Sequence, residues 1–431
     1  MTSWTPPVGA AYDPAGTGIA GPLRLLAGPE GPDPEWLTHH LGRLGPTPPP
    51  GRFLIDEVRA AGLRGRGGAG FPAGQKMAAV RAKSHTGRPA VVVGNGVESE
   101  PASDKDRLLL CRRPHLVLDG LQLAGRLVYA DRLILALARD GQALRILREA
   151  LIERRARLAD DIAVELVTTP GGFVAGEETA LTSWVSGAAP KPRPVPPRPF
   201  ERGVGGRPTL VQNVETLAHL ALIARFGADW FCSRGLEEDP GTCLITLSGA
   251  VARPGVYEVA VGTPMQSLLR GAGWDQSSLG LLVGGFFGTW IGADAAAGMR
   301  FCRSDLEQLG AAPGSGVIVV LASSLCGVRE GARVLRWLAA ESAGQCGPCV
   351  RGLPAIAGAL ERIADPLSAS EAVVTQLLGW CDDVQGRGAC HHPDGAVRLA
   401  RSVVRTFASE VDAHRSGRCT LASARTAVTP Q

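Results

Sequence analysis

Little in this chain is long, oily or one-sided. None of its apolar stretches approaches the ~18 uninterrupted residues that a membrane helix requires, so a segment spanning a bilayer is not expected. The opening MTSWTPPVGAAYDP has neither a basic start nor an apolar core, which predicts no secretory signal and a cytoplasmic location. Ten cysteines in 431 residues fall far short of a disulfide scaffold, and a reducing compartment would keep them as thiols. Aromatic residues make up 5% of the chain and the net charge is only +4. With no arginine-rich arm carrying interleaved aromatics, no nucleic acid partner is expected. What is present, 45% hydrophobic and 20% charged residues, describes a globular protein of roughly two to four domains.

The hydrophobic patterning divides the chain. Residues 1–50 are rich in glycine and proline, end in GPTPPPG, and read as a lightly structured leader or linker. In the stretch that follows, RFLIDEVRAAG, HLVLDGLQLAGRLVYA and QALRILREALIERRARLA are helical. PAVVVGNG, RLILALARD and IAVELVTT are buried strands, and the alternation predicts parallel βαβ units. Further helices begin at GEETALTSW and NVETLAHLALIARF. From about Gly241 the pattern changes to short strands, TCLITLSGAV, GVYEVAV, GLLVGG and GVIVVLA, around one helix, TPMQSLLRGAG. That is a small α+β unit. Beyond Cys326, four segments carry apolar residues at helical spacing, the last running DGAVRLARSVVRTFASEVDA, and read as a bundle. The tail after residue 415 is expected to be disordered.

Three segments carry chemistry. In GLRGRGGAGFPAGQK, Gly65, Gly67 and Gly70 satisfy GxGxxG, but a helix precedes them where the dinucleotide fingerprint needs a strand. The Rossmann reading of that match fails. The glycines can still let backbone N–H groups converge on phosphate, with Arg64, Arg66 and Lys76 supplying charge; a plain surface loop is the other reading. VVVGNGVESEPASDKDR is a strand running into a carboxylate-rich loop with Glu98, Glu100, Asp104 and Asp106. It lies at the carboxyl end of a strand, where doubly wound sheets bind ligands, although acidic turns are often merely solvated. GGFVAGEETALTSWVSG places Glu177 and Glu178 at a helix start, a position acids also take to complement the helix dipole.

The cysteines add a fourth signal with a gap in it. Cys346 and Cys349 form a CxxC, Cys390 follows far downstream, and Ala343 stands three residues before the first. A cubane cluster takes four thiolates, three often supplied by CxxCxxC, so this is an iron–sulfur ligand set lacking one sulfur. Three readings stay open. The first is an iron–sulfur cluster, four-iron with one iron held by water, His391, His392 or another cysteine, or three-iron. The others are a zinc site and an empty site. Cys381 is the best internal replacement ligand. Cys243, Cys302 and Cys326 read as buried structural thiols, while Cys111, Cys232 and Cys419 carry no signal.

Taken in order from residue 55 to residue 410, these segments, with PTLVQNVETLAHL and SGAVARPGVYEVAVGTP, resemble the flavin-bearing, NADH-oxidising subunit of respiratory complex I (flavoprotein 1) and its relatives in NAD-reducing hydrogenases and formate dehydrogenases. The resemblance implies an α/β Rossmann-like FMN domain over residues 51–238 and a β-grasp domain of the SLBB type over 239–327. A helical iron–sulfur domain, a four-helix bundle, over 328–416 and a tail over 417–431 complete it. It implies FMN contacts from Gly65, Arg66, Gly67, Gly70, Lys76, Asn95, Glu98, Gly176, Glu177, Asn213 and Thr216. NAD(P)H contacts would come from Phe71, Glu100, Glu178 and Arg198, and cluster ligation from Cys346, Cys349 and Cys390.

The chain departs from the family pattern at Val97, Gln212 and Phe173 around the flavin, and at Ala79, Val195 and Arg198 on the nicotinamide side. The implied activity is hydride transfer from NAD(P)H to FMN and onward passage of single electrons through the cluster. The iron–sulfur partner would be a thioredoxin-like 2Fe–2S subunit or a ferredoxin. The runner-up is a relay or docking subunit that keeps the fold without using NADH.

Overall fold

The structure, a computed structural model, describes residues 23–421 apart from Arg52, Thr86 and Asp140. Its first sheet is built from β1 (Ala90–Gly96), β2 (Ala130–Leu137), β3 (Val164–Thr168) and β4 (Thr209–Asn213), in the order β3-β2-β1-β4 with every pair parallel. Parallel strands are covered on both faces and need apolar residues on both. Accordingly Val91, Val92 and Val93 are all fully buried. Val92 joins the larger core under the helices Ala73–His85, Pro114–Leu127 and Val214–Cys232. Val91 and Val93 face a smaller core with Ile134, Leu181 and Val211. The chain leaves β1 toward β2 on one side and returns as β4 on the other, so the crevice at the carboxyl ends of β1 and β4 is a topological switch point. In register there, Asn95 lies opposite Asn213.

A buried carboxylate ties this layer together. Asp119, on the helix Pro114–Leu127, accepts hydrogen bonds from Arg154 Nη1 (2.8 Å), His40 Nε2 (2.8 Å) and Thr47 Oγ1 (2.7 Å), and from Arg225. Burial works against its charge, yet the His40 hydrogen bond and the two guanidiniums hold the carboxyl far below its ordinary value. Next to it, Gly120 lets two helices touch: a Cβ there would meet the Leu217 carbonyl oxygen at 1.9 Å.

The second sheet is mixed. Its strands β5 (Thr242–Gly249), β6 (Gly255–Ala260), β7 (Gly280–Val283), β8 (Thr289–Gly292) and β9 (Val317–Val320) run in the order β6-β5-β9-β7-β8, with β5 and β9 parallel and the other pairs antiparallel. The helical region follows as Gly327–Ala340, Leu353–Ala364, Glu371–Val384, His392–Thr406 and Ala408–Arg415. Among the described residues no helix is long and apolar enough to cross a membrane.

Three expectations are corrected. The leader reading fails for residues 23–50, because Leu25, Leu37, Glu35 and His40 are buried. Glu258 on β6 accepts the N–H groups of Arg24, Leu25 and Leu26 at 2.9–3.1 Å, and Arg24 stacks on Trp230; residues 1–22 lie outside the described residues. The last helical pattern is two helices, broken at Phe407. Its ring packs on Trp290 of the second sheet, and Gly327 leaves room for it. The tail is ordered as far as residue 421: Arg418 N–H donates to the Ala413 carbonyl at 3.1 Å and Cys419 is buried. Residues 422–431 lie outside the described residues. Sequence patterning also missed β4, β8 and the helix Lys105–Arg112, which are too short for periodicity to register.

Replacing Asp119 with alanine leaves Arg154 and Arg225 buried without their counter-ion. The expected loss is ~3–5 kcal/mol of unfolding free energy, measured by denaturant titration; a change below about 1 kcal/mol, the ordinary effect of a surface substitution or less, would contradict this role.

Candidate functional site

The glycine loop runs directly beneath the switch point. It is closed by Gly65 N–H to the Phe71 carbonyl (2.8 Å) and by Arg66 N–H to Thr216 Oγ1 (2.9 Å). The second bond fixes the loop to the first turn of the helix Val214–Cys232. Gly67 faces Asn213, where a Cβ would come within 3.3 Å of the asparagine Cβ. Gly70 has φ +64°, a conformation that strains any side chain, and it lies against the Arg303 guanidinium. Beside this loop, a narrow solvent-open cleft lies between it and Pro313 and Gly314 of the second layer, with Arg303 at its edge.

Both asparagines at the strand ends are fixed by their side chains. Asn95 Nδ2 donates to the Gly176 carbonyl at 2.9 Å, bringing the Phe173–Gly176 turn over the end of β1. Asn213 caps its helix by accepting Glu215 N–H at 3.0 Å, and its Nδ2 donates to Asp106 at 2.6 Å. Glu177 caps the helix Glu178–Val185, accepting N–H from Thr179 and Ala180. Glu178 pairs with Lys76 at 2.6 Å. On the outer side Phe71 is exposed, as are Val195 and Arg198, and Ala79 is half-buried.

The carboxylate loop behaves differently from a solvated turn. Glu98 holds φ +38°, a left-handed conformation that costs a non-glycine residue ~1–2 kcal/mol. Its carboxylate turns onto Ser103 Oγ and the N–H groups of Asp106 and Arg107 at 2.7–2.9 Å. It therefore starts the helix Lys105–Arg112, and most of its acceptor capacity is committed there. Burial, then the charge of Asp106, push Glu98 up to about 7. Glu100 reaches across to the second layer, accepting Phe286 N–H at 2.8 Å and Ala102 N–H at 3.2 Å; burial raises it too to about 7.

Beneath the site lies a charge cluster of which the sequence reading named only Asp106. Lys105 is 2% exposed and bonds Asp106 at 2.7 Å and Glu215 at 2.8 Å. Burial opposes the Glu215 carboxylate, but the ammonium brings it down to about 2. Glu215 also accepts Leu244 N–H of β5 at 2.9 Å. The only sequence signal was the Lys-Asp pair inside ESEPASDKDR, which reads equally as surface charge.

The cysteines meet at helix ends. Cys346 Sγ and Cys349 Sγ are 3.5 Å apart, and Cys349 lies in a π-type turn, Pro348–Gly352, that leads into Leu353–Ala364. Against burial, the Ala389 N–H and the Cys349 thiol hold Cys346 below its ordinary pKa. Cys390, next to Ala389, is pushed up by burial to about 11, and it feels the charges of Glu177, Cys349 and Cys346. Gln345 Nε2 donates to the Pro192 carbonyl at 2.6 Å, and Phe173 packs edge-on against Trp337, Phe287 and His392. The cysteine loop thus lies against the Phe173–Glu177 segment that covers β1. Ala343 is half-buried just before the CxxC. Of the candidate replacement ligands, Cys381 is fully buried in the apolar helical core, the His391 side chain is almost fully exposed, and His392 Nε2 is engaged with the Leu338 carbonyl at 2.8 Å.

A switch-point cleft with a glycine cradle, abutting a cysteine cluster on helix ends, defines a redox-cofactor protein with two adjoining sites. Comparison with known families is specific. Residues 58–222 match the Nuo51 FMN-binding domain, and residues 329–414 match the iron–sulfur binding region of NADH-ubiquinone oxidoreductase-F. The chain is 32% identical over 379 residues to one of the NADH-quinone oxidoreductase F subunits of Rhizobium meliloti (strain 1021), covering 84% of this chain and 86% of that protein. It is 33% identical over 383 residues to the NADH-quinone oxidoreductase F subunit of Streptomyces coelicolor, covering 85% and 83%. The chain belongs to the family of NADH-quinone oxidoreductase F subunits. Among solved structures it resembles an NAD+-reducing NiFe hydrogenase in the H2-reduced state, with TM-score 0.78 and 31% identity over 84% of this chain. The chain spans 62% of that hydrogenase chain.

Glu100 supplies a pH test. Its carboxyl keeps a proton to about pH 7 when folded but releases it near the ordinary 4.5 when unfolded, so its contribution is full below pH 4.5 and lost as pH rises through 7. Denaturation midpoints measured from pH 4.5 to 8 should fall less steeply with pH in Glu100→Gln than in the wild-type protein; identical slopes would contradict the assignment.

Proposed function

We propose that this chain takes a hydride from NAD(P)H onto FMN and passes the electrons singly to an iron–sulfur cluster held by Cys346, Cys349 and Cys390. The observation that carries this reading is the seating of the helical iron–sulfur region on the segment that roofs the strand crevice: Phe173 N–H donates to Glu341 at 3.0 Å, and its ring packs edge-on against Trp337 and His392. Family membership supplies the cofactor identities. The residues present fit them. Gln212 Nε2 is buried at the end of β4 without a hydrogen-bond partner among the described residues. It is a donor that a polar ligand would satisfy. The three thiols suit iron–sulfur ligation, with Ala343 in the place of a fourth.

In this reading Gly65, Gly67 and Gly70 keep the backbone thin where FMN approaches, and Arg66 and Lys76 face its charge. Asn95, Asn213, Thr216, Gly176 and Glu177 shape the pocket, with Glu98 bracing it from behind. Phe71, Glu178 and Arg198 form the NAD(P)H side, with Glu100 holding the two layers together at its edge. FMN, when bound, supplies the exchange between two-electron and one-electron chemistry; the protein supplies position and electrostatics.

The domain plan we propose is a Gly/Pro-rich segment over 1–50, a Rossmann-like FMN domain over 51–238, a β-grasp domain of the SLBB type over 239–327, a helical iron–sulfur domain over 328–416 and a tail over 417–431. The mixed order β6-β5-β9-β7-β8 around the helix Met265–Gly271 supports the β-grasp reading. The four helices between Gly327 and Thr406 support the bundle. Electrons would leave to an iron–sulfur partner, either a thioredoxin-like 2Fe–2S subunit or a ferredoxin. A relay without NADH oxidation is the second reading, favoured by Val195 and Arg198, which are exposed where the family pattern has Lys and an aromatic.

The test is anaerobic addition of NADH to FMN-loaded protein: loss of the visible flavin absorbance supports the first reading, and no loss with FMN bound supports the relay. Lys76→Met should weaken FMN binding by about 1.5–3 kcal/mol, or about 10- to 150-fold in Kd, as read by flavin fluorescence. Cys390→Ser should lose iron and acid-labile sulfide while keeping FMN and its bleaching by NADH.

A further inference from the structure

A second cluster of metal-ligating groups lies away from Cys346 and Cys349, at the junction between the second sheet and the helices. Cys326 follows β9 and sits at the N-cap of the helix Gly327–Ala340. Glu410 and His414 are one turn apart on Ala408–Arg415, and Cys419 lies in the turn beyond. One ligand atom from each of the four falls within 4.8 Å of the other three, and all four residues are buried. Cys326 Sγ is 3.7 Å from His414 Nε2 and 3.9 Å from Glu410 Oε1, and those two are 3.1 Å apart. Ligand atoms at zinc bond lengths on a tetrahedron are ~3.3–3.8 Å from one another.

The outer contacts aim these groups inward. His414 Nδ1 is 2.9 Å from the Ile363 carbonyl, which fixes the proton on Nδ1 and turns the Nε2 lone pair to the cluster; ligating histidines are oriented in this way. Glu410 is held by Thr420 N–H at 3.0 Å and by the Thr420 hydroxyl. Cys326 and Cys419 flank residues 329–414, the span that matches the family's iron–sulfur region, while Glu410 and His414 lie at its end.

We propose that Cys326, Glu410, His414 and Cys419 form a structural zinc site that staples the turn after the last helix to the start of the helical region. Two thiolates, one imidazole and one carboxylate complete a tetrahedron with no open position, as structural zinc requires. Binding exchanges protons for metal: one Zn2+ enters, the two thiol protons leave to solvent, and no electron moves. The site stands apart from the electron-transfer reading and does not depend on it.

The test uses the full chain with Cys346, Cys349 and Cys390 all changed to serine, which removes the other thiol cluster. Purified from zinc-supplemented cells without chelator, it should retain one zinc per chain, and zinc-edge X-ray absorption should fit two sulfur and two nitrogen or oxygen neighbours. His414→Ala and Cys419→Ser should lose that zinc and melt at lower temperature. A second measurement needs no variant: cobalt(II) added to zinc-stripped wild-type protein should give thiolate-to-cobalt charge transfer and tetrahedral d–d bands. Absence of zinc, zinc retained by Cys419→Ser, a Cys326–Cys419 disulfide in the reduced-lysate protein, or a cobalt spectrum without thiolate bands would each overturn the proposal.

Discussion

The site depends on one buried ammonium. Lys105 is nearly inaccessible and is tied to both Asp106 and Glu215, so three charges share a space that water does not reach. Such a cluster is tolerated only when every member is paired, because an isolated buried charge costs several kcal/mol. Each arm of the cluster sets a different part of the structure. Asp106 receives Asn213 Nδ2 at the end of β4. Glu215 receives Leu244 N–H of β5, which joins the first layer to the second. The backbone of Asp106 and Arg107 is gathered by Glu98. The strand crevice, the carboxylate loop and the inter-layer seam are thereby held by one hydrogen-bonded unit.

Around that unit the two halves of an electron path are brought together by ordinary packing. The Phe173–Gly176 turn is anchored to Asn95 on one side, and Phe173 packs against Trp337 and His392 on the other. It also bonds Glu341, two residues before Ala343, through its N–H at 3.0 Å. One four-residue turn is thus the lid of the strand crevice and the floor of the cysteine loop.

Much of this was legible in the sequence. The strands PAVVVGNG, RLILALARD and IAVELVTT announce themselves because parallel strands are apolar on both faces. The CxxC stands out because its spacing has few other uses, whereas the glycine loop taken alone reads equally as a surface loop. The roles of individual acids were not legible. Glu98 and Glu177 carry the motif, yet the structure shows both also capping helices, and one-dimensional spacing cannot divide a carboxylate between its neighbours. Lys105 was invisible because burial of a lysine is decided by Glu215, far away in the chain. The N-terminal segment misled for a related reason: its glycines and prolines look like a linker, but Glu258 gathers its backbone and Asp119 its side chains. Cys326 and Cys419 had no shared motif and meet only because the turn after the last helix folds back along it.

The central claim is that flavin and cysteine cluster are in electron contact through the Phe173–Glu177 segment. The most direct measurement is freeze-quench EPR on anaerobic protein loaded with FMN and cluster, after less than one equivalent of NADH. The account predicts that the cluster signal changes together with the loss of flavin absorbance. A flavin that is reduced while the cluster signal stays as isolated would contradict it.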